Sequence, residues 1–223
     1  MLKYAVLAII ALLIAGRLLI RIKSPFWSIQ PVFHLYDLHH WLMTDRVISN
    51  DLPGINKYVR LTEVETFHSS KLPTDILAKG CQCIRDHFLK TEMAEYKPTD
   101  NEVLGFLENT QLPSFYSIYS SPQTLIGNDE LVKERKIHAV ITSRPLYVTL
   151  NNKTFPANYV DNLCVDTAYR KQGLAPRLIQ SHEYNMRHKS KSVQVSLFKR
   201  EGEMTAIVPL TTYQTVCVSA KSI

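Results

Sequence analysis

The sequence predicts an α+β protein, in which an N-terminal transmembrane helix precedes a mixed, mostly antiparallel sheet with one parallel crossover, flanked by helices. Three observations lead to this prediction. The first is an apolar run from Leu2 to Ile20. The second is a change from helical spacing over residues 74–90 to short alternating runs between residues 114 and 165. The third is a strand–helix–strand order near the end of the chain.

The apolar run is long enough to cross a bilayer. As a helix it would measure about 28 Å, close to the hydrocarbon thickness of a membrane. Only Lys3, Tyr4 and Arg17 interrupt it. A cleaved signal peptide needs small residues one and three positions before the cut, and cuts after Ala15 or Gly16 do not provide them. An uncleaved anchor is therefore favoured, with a cleaved signal peptide and a buried core helix as the alternatives.

Basic residues after the apolar run predict its orientation. Arg17, Arg21 and Lys23 outnumber Lys3 and the amino terminus on the other side, which favours a cytosolic location for the rest of the chain. The four cysteines, at positions 81, 83, 164 and 217, agree with a reducing compartment, because the first two are too close for an easy mutual disulfide. We predict residues 1–23 as a single-pass membrane anchor and residues 24–223 as one domain that faces the cytosol.

Composition narrows the partners only a little. The chain has 223 residues, 45% of them hydrophobic, which is enough for one domain with a core. A formal net charge of +6 favours an anionic partner, such as nucleic acid, a membrane surface or a phosphate-rich cofactor. Nucleic acid is not expected, since the charges lack interleaved aromatic residues and a known motif. The basic cluster Arg187–Lys191 is interpreted as a solvated helix end. The eight histidines show no metal-ligand spacing, so no metal site is expected.

Periodicity places the individual elements. Helical spacing is found over residues 74–90 and 176–188, and Thr99 or Asp100 could cap a further helix between them. The pair Asn151–Asn152 predicts a tight turn between two strands. Strands are predicted over residues 114–120, 136–142, 146–150, 158–165 and 192–198.

The loop inside the crossover has the composition of an anion site. A hydrophobic strand ending at Val165 continues into Arg170-x-x-Gly173-x-Ala175, and an amphipathic helix comes next. The two small residues let the backbone approach a ligand, and the N–H groups at a helix start attract anions. Arg170 and Lys171 add positive charge there. The loop is therefore predicted to hold a pyrophosphate, although it is neither a Walker loop nor a dinucleotide G-x-G-x-x-G motif.

The segment "LCVDTAYRKQGLAPRLI" resembles motif A of the GNAT acetyltransferase superfamily, whose signature is Arg/Gln-x-x-Gly-x-Gly/Ala. The resemblance implies that the loop binds the pyrophosphate of an acyl-CoA, while the preceding strand splays from its neighbour and offers backbone N–H groups to the thioester. The cofactor-binding residues implied in this way are Leu163, Cys164, Val165, Arg170, Lys171, Gln172, Gly173, Leu174, Ala175 and Pro176.

A narrower resemblance is to protein N-myristoyltransferases. "SPFWSIQPVFHL", residues 24–35, is similar to their Phe-Trp-x-x-Gln-Pro-Val opening, and "NLCV" and "LAP" are similar to their Phe-Leu-Cys-Val and Val-Ala-Pro. The resemblance implies that Trp27 and Gln30 could cover a bound CoA. Asn162 stands where the family has phenylalanine. The family has two fused GNAT-like halves, and the resemblance, from about residue 24 to about 213, is to the N-terminal half alone.

The resemblance implies an N-acyltransferase of the EC 2.3.1 class. The backbone at Asn162 and Leu163 would bind the oxyanion, Asp161 would act as base, and Tyr213 would protonate the leaving thiolate. Asp161 could equally be a solvated strand carboxylate and Tyr213 a packing residue. His138 is weighed as a base too, but is interpreted as a half-buried core residue.

We expect an acyl-CoA, most simply acetyl-CoA, as the donor and no metal, with a protein or small-molecule amine as the acceptor at a membrane. A short acyl group is favoured because Asn162 would put a polar side chain beside the thioester, and because peptide recognition in the two-halved family depends on its second half. The alternatives are a long-chain, myristoyl-type acyltransferase and a catalytically inactive GNAT fold that binds acyl-CoA or a partner protein.

Overall fold

The computed structural model describes residues 2–37, 42, 47–89, 95–108, 110–127, 130–200 and 207–212. The chain divides into two compact units, one formed by Met1–Ser49 with Glu201–Ile223 and the other by Asn50–Arg200. The second unit contains the whole sheet and the helices that cover it.

Helix α1 of the first unit spans Leu2–Lys23. Within the described residues it is the one helix that is long and apolar enough to cross a membrane, with a mean hydropathy of 2.4 over Lys3–Lys23. None of that stretch is buried, whereas a core helix of a soluble protein would be mostly buried. The helix therefore agrees with a membrane anchor or a signal sequence, and its orientation stays a prediction.

A short 3₁₀ turn, Trp27–Ile29, comes after α1 in the first unit. Phe26 is buried and meets the Trp27 ring edge-on, with the ring centroids 5.0 Å apart. Farther along, Phe33 accepts a backbone hydrogen bond from Val208, and His34 forms an isolated antiparallel bridge with Ile207. Two distant stretches of the chain thus meet in this unit.

The second unit is built on a five-stranded sheet in the order β1-β2-β3-β4-β5. The first four strands pair antiparallel, and β4 pairs parallel with β5. This is the predicted mixed sheet with one parallel crossover. The strands are β1 Val64–His68, β2 Phe115–Gly127, β3 Glu130–Leu150, β4 Lys153–Val165 and β5 Val195–Phe198.

Two details of the sheet differ from the sequence prediction. Residues 136–142 and 146–150 belong to one strand, because the ladder to β4 continues through Ser143–Pro145. Strand β1 was not predicted, since five residues at a sheet edge carry little periodic signal. The turn at Asn151–Asn152 is confirmed, with φ values of 47° and 60° that asparagine tolerates better than most residues.

Helices cover both faces of the sheet. They are α2 Thr74–His87, α3 Asp100–Gly105 and α4 Leu174–Lys189. The Thr99 side chain accepts the Glu102 N–H and the Glu102 carboxylate accepts the Thr99 N–H, so a capping box begins α3. One core cluster joins α2 and α3 to the sheet through residues such as Cys81, Ile84 and Val140. A second joins α4 to the other face through Leu174, Leu178 and Ile141.

The described cysteines behave as core residues. Cys81, Cys83 and Cys164 are free thiols and are buried. Burial, followed by the nearby Asp100 carboxyl group, raises the pKa of Cys81 to about 12. The thiol is therefore protonated and unreactive at neutral pH. Cys217 lies outside the described residues.

Candidate active site

Strand β4 carries a bulge close to its carboxyl end. Val140 pairs with Cys164 and Thr142 pairs with Asp161, so that Ile141 alone faces both Asn162 and Leu163. Asn162 takes a left-handed backbone, with φ at 50°. Its side chain is buried and donates from Nδ2 to Thr142 Oγ1 over 3.1 Å. The polar side chain of Asn162 is thus bound to the neighbouring strand.

Beyond Val160, β4 loses one of its two partners. Strand β5 pairs only with Ala157–Val160, whereas β4 continues to Val165. We call Lys153–Val160 the paired half and Asp161–Val165 the open half of β4. Within the described residues, the open half has no strand partner on the β5 side. Some of its backbone groups are bonded by side chains: the Asn162 N–H donates to Asp161, and the Asp161 and Val165 carbonyls accept Thr142 Oγ1 and Arg170 Nε. No described strand pairs with the others on that side.

Two side chains of the open half, those of Cys164 and Val165, contact other parts of the protein and do not face the open edge. Cys164 is buried and donates from Sγ to the Cys83 carbonyl over 3.4 Å, while Val165 packs against the α4 face. Leu163 is 37% exposed. A ligand at this edge would therefore meet backbone rather than side chains at Cys164 and Val165.

The side chain of Asp161 is hydrogen-bonded to the backbone of Asn162, although the sequence assigns the two residues to different roles. The exposed Asp161 accepts the Asn162 N–H at Oδ1 over 2.8 Å. The predicted base therefore accepts the N–H of the predicted oxyanion donor. Any anionic intermediate at this N–H requires the carboxylate to turn away.

The loop after β4 holds two residues with left-handed backbone, Lys171 with φ at 63° and Gly173 with φ at 76°. A Cβ placed on Gly173 would meet nothing within 4 Å, so the backbone there borders open space. Gly173 is also the N-cap of α4 and has no side chain to cap it. Pro176 brings no N–H to the first turn. The N–H groups of Leu174 and Ala175 are therefore left for a ligand, as anion binding at a helix start requires.

Arg170 and Gln172 brace this loop. Arg170 donates from Nε to the Val165 carbonyl over 3.1 Å and from Nη2 to the His87 carbonyl over 2.6 Å. Gln172 donates from Nε2 to the Ala168 carbonyl over 2.9 Å. The predicted phosphate contact of Arg170 stays a prediction, and two of its donors are used within the protein. Lys171 is exposed and adds charge at the loop.

Asp166, which sequence reasoning missed, lies between the end of β4 and the 3₁₀ turn Thr167–Tyr169 that leads into the loop. Burial alone would raise its pKa, but the hydrogen bond from the Ala168 N–H and the neighbouring His87, Lys136 and His138 side chains together outweigh burial and lower it. The carboxylate is 2.9 Å from the Ala168 N–H and 3.8 Å from Lys136 Nζ. An aspartate directly between a hydrophobic strand and a turn is a signal that could have identified this cap.

His138 lies at a second bulge, opposite Tyr119 and Ser120. It is 2% exposed, and its Nε2 lies 2.7 Å from Ser121 Oγ. Burial, followed by the charge of Lys136, lowers its pKa against the opposing effect of Asp166. His138 is thus a neutral core side chain at physiological pH.

Tyr96 is a further residue that the sequence did not indicate. It packs on Phe88 at the edge of the α2–α3 cluster. Its pKa is raised first by burial and then by the charge of Asp161, so its hydroxyl lies within electrostatic reach of that carboxylate. Tyr96 is thus a tyrosine that interacts electrostatically with Asp161 of the open half of β4.

The roles predicted for Trp27, Gln30 and Tyr213 stay predictions. Trp27 and Gln30 belong to the first unit, and Tyr213 lies outside the described residues. The basic cluster interpreted as a solvated helix end is solvated only in part: Arg187 is buried and donates to the Gln194 carbonyl, whereas Lys189 is exposed and donates to the Thr66 carbonyl. Within the described residues, no group of three or more histidine, cysteine or acidic side chains could hold a metal ion.

Comparison with known proteins identifies the fold. No family model matches the chain, and no curated protein matches it significantly. Among solved structures, Saccharomyces cerevisiae N-myristoyltransferase with bound myristoyl-CoA matches with a TM-score of 0.54 and 16% identity, over 78% of this chain and 40% of that one. A second structure of that enzyme with myristoyl-CoA gives a TM-score of 0.53 and 15% identity, over 79% and 38% of the two chains. The chain therefore has the GNAT-type α+β fold, in the form found in N-myristoyltransferases, and spans about two fifths of their length.

Proposed function

We propose that this protein is an N-acyltransferase that moves an acyl group from a CoA thioester to an amine. One observation carries the proposal: the open half of β4, with its bulge, leads directly into a left-handed loop at the start of α4. A CoA thioester is a ligand with a pyrophosphate at one end of an amide-rich arm and a reactive carbonyl at the other. The loop at the start of α4 would match the pyrophosphate, the open edge of β4 the amide-rich arm, and the bulge the reactive carbonyl.

The donor would lie along the open half. The amides of its pantetheine arm pair with the free backbone edge of β4, as an added strand would. Its pyrophosphate accepts N–H groups at Gly173, Leu174 and Ala175, where the start of a helix favours negative charge. Lys171 adds a positive charge at the same loop.

The reaction requires Asp161 to change partners. The amine nitrogen attacks the thioester carbonyl carbon, and the oxygen becomes an oxyanion that accepts N–H groups at Asn162 and Leu163. The Asp161 carboxylate leaves the Asn162 N–H and takes a proton from the incoming ammonium. The carbon–sulfur bond then breaks, the nitrogen releases its second proton to leave a neutral amide, and the CoA thiolate takes a proton from the acid. Tyr213 stays the predicted acid, and Tyr96, near Asp161, is a second candidate for that role.

We propose acetyl, or another short acyl group, as the group transferred. Among the β4 side chains at the bulge, Asp161 and Asn162 are polar, and Leu163 alone offers apolar surface to a long chain. The long-chain alternative is favoured by a different observation, the match to structures that contain myristoyl-CoA. A catalytically inactive fold that only binds acyl-CoA would share the loop but need no base.

The deciding experiment is calorimetric competition between acetyl-CoA and myristoyl-CoA for the full chain in lipid nanodiscs. The variant Gly173→Val serves as the control that separates site binding from partition into lipid. We expect the two donors to bind within about tenfold of each other. Myristoyl-CoA binding about a hundredfold tighter would correspond to about 2.7 kcal/mol, or a few buried methylenes, and would establish the long-chain enzyme. Binding of neither donor would overturn the proposal.

We also propose that α1 anchors the catalytic unit on the cytosolic side of a membrane, as the basic residues of its last turn favour. The sequence Asn152-Lys153-Thr154 is a chance glycosylation acceptor in the exposed turn after β3. Mapping of glycans on protein from eukaryotic cells is expected to find Asn152 unmodified. A glycan at Asn152 would reverse the orientation.

A further inference from the structure

We infer that Asp166 and His87 form a latch that holds the 170–175 loop in its ligand-binding conformation. By the Asp166–His87 latch we mean the contacts of these two side chains and their backbones with residues 167–170. Both are positioning residues, because they act through the loop. The consequence for CoA rests on the proposed function, whereas the effect on the loop can be tested without it.

Asp166 fixes the start of the loop at two points. Its N–H donates to the His138 carbonyl on β3 over 2.8 Å, which ties the backbone to the sheet. Its Oδ1 accepts the Ala168 N–H over 2.9 Å, which begins the 3₁₀ turn Thr167–Tyr169. The direction in which the chain leaves β4 is therefore set by this one residue.

His87, the last residue of α2, holds the same segment from the opposite side. Its Nε2 lies 3.6 Å from Asp166 Oδ1, and its Nδ1 lies 3.5 Å from the backbone nitrogen of Thr167. Its carbonyl accepts Nη2 of Arg170 over 2.6 Å. The end of α2 thus contacts three of the residues that lead into the loop.

The loop needs to be held from outside. Lys171 has a left-handed backbone that residues other than glycine rarely adopt, so the free segment would favour other conformations. Gln172 supplies one contact within the loop, to the Ala168 carbonyl. The start of the loop is further held by the latch, by the Arg170–Val165 bond, and by Tyr169, whose ring lies 4.1 Å from the His138 ring, centroid to centroid.

The charge of Asp166 is compatible with an anion at the loop. The side chain is 8% exposed. Lys136 Nζ and His138 Nδ1, both on β3, are each 3.8 Å from its Oδ2, and of these two groups Lys136 carries the positive charge. That charge partly offsets the carboxylate and so reduces its repulsion of a pyrophosphate.

The latch is tested by amide hydrogen–deuterium exchange of the free, full-length protein, followed by calorimetric titration with CoA. The variants are Asp166→Ala, Asp166→Asn and His87→Ala. Asp86→Ala is the matched control, because this exposed carboxylate next to His87 binds only Gln82 in the described contacts. Exchange in β3 reports whether each variant is folded.

We expect Asp166→Ala and His87→Ala to speed exchange over residues 167–175 by about tenfold or more, with β3 unchanged. Asp166→Asn keeps an acceptor for the Ala168 N–H and is expected to have a smaller effect. The Kd for CoA should rise about tenfold in the two alanine variants and stay unchanged in the control.

The outcomes separate the two claims. Exchange that stays at the wild-type rate in both His87→Ala and Asp166→Asn, with Asp166→Ala also unchanged or unfolded, would overturn the latch. Faster exchange with an unchanged Kd would mean that the loop does not hold CoA, which contradicts the proposed function and leaves the latch intact. A wild-type protein that does not bind CoA would have the same meaning, and exchange alone would then decide the latch.

Discussion

The two halves of β4 share one strand but have different surroundings. The paired half is hydrogen-bonded to β3 throughout and to β5 over its last four residues, and Ala157 and Asn158 are fully buried within it. The open half has a bulge, a left-handed Asn162 and no described strand on the β5 side. The sheet therefore satisfies the backbone on both sides over Ala157–Val160, whereas in the open half we propose that a ligand bonds the groups left on the β5 side. Damage to the paired half should therefore lower stability, and damage at the open half or its loop should lower binding or turnover.

The largest effect is expected from Asp161→Asn in the open half. The amide keeps an acceptor for the Asn162 N–H but cannot take a proton from the ammonium. We expect the rate of amine acylation to fall about 10²–10⁴-fold with an unchanged Kd for CoA, as measured by thiol release and calorimetry. An unchanged or faster rate would show that the carboxylate only blocks the oxyanion donor.

Gly173→Val tests the loop that continues from the open half. The new side chain would enter the open space beside the backbone, where the pyrophosphate is proposed to lie, and the left-handed φ would be strained. We expect the affinity for CoA to fall about a hundredfold, or about 2.7 kcal/mol, by titration. Gly54→Val is the control, since it too meets open space but has no left-handed φ. Equal CoA affinity in both variants would contradict this assignment.

Ala157→Leu makes the opposite change, in the paired half. Ala157 is fully buried, so a larger side chain overpacks the core. The free energy of unfolding should fall by about 1–3 kcal/mol in urea denaturation, while the folded fraction binds CoA with wild-type affinity. A loss of CoA affinity without a loss of stability would show that the two halves are not separate in function.

The smallest effect uses pH instead of a mutation at β4. His182 on α4 is fully buried, with Nδ1 2.7 Å from Ser117 Oγ, and burial lowers its pKa from 6.5 to about 3. Below pH 6.5 the unfolded chain therefore takes up this proton before the folded protein does. Stability from this group is complete above pH 6.5 and is lost as the pH falls toward 3.

For His182 we expect a loss of about 1.4 kcal/mol between about pH 7.5 and pH 5.5 in urea denaturation. His182→Gln, which cannot titrate, should show a shallower dependence over the same range. The same slope in both proteins would mean that His182 is protonated in the folded state.

Local patterns in the sequence identified the features that depend on neighbouring residues. Four features could be predicted because each depends on side-chain pattern or on backbone preference over a few residues. They are the apolar helix α1, the helical spacing of α2 and α4, the Asn151–Asn152 turn and the Arg170–Ala175 loop. The motif also placed the loop between a strand and a helix, as the structure has it.

Tertiary structure decided how these pieces meet. The sequence did not reveal the bulge at Asn162, because a bulge is a mismatch between two strands whose pairing register is set by packing. It did not reveal the Asp161–Asn162 hydrogen bond, which depends on that bulge. His87 and Asp166 come from elements far apart in the chain, so no local pattern links them. The sequence alone was enough to predict a loop of this composition between a strand and a helix. Long-range strand pairing and packing decided which backbone groups of β4 lack a strand partner and which side chains restrain the loop.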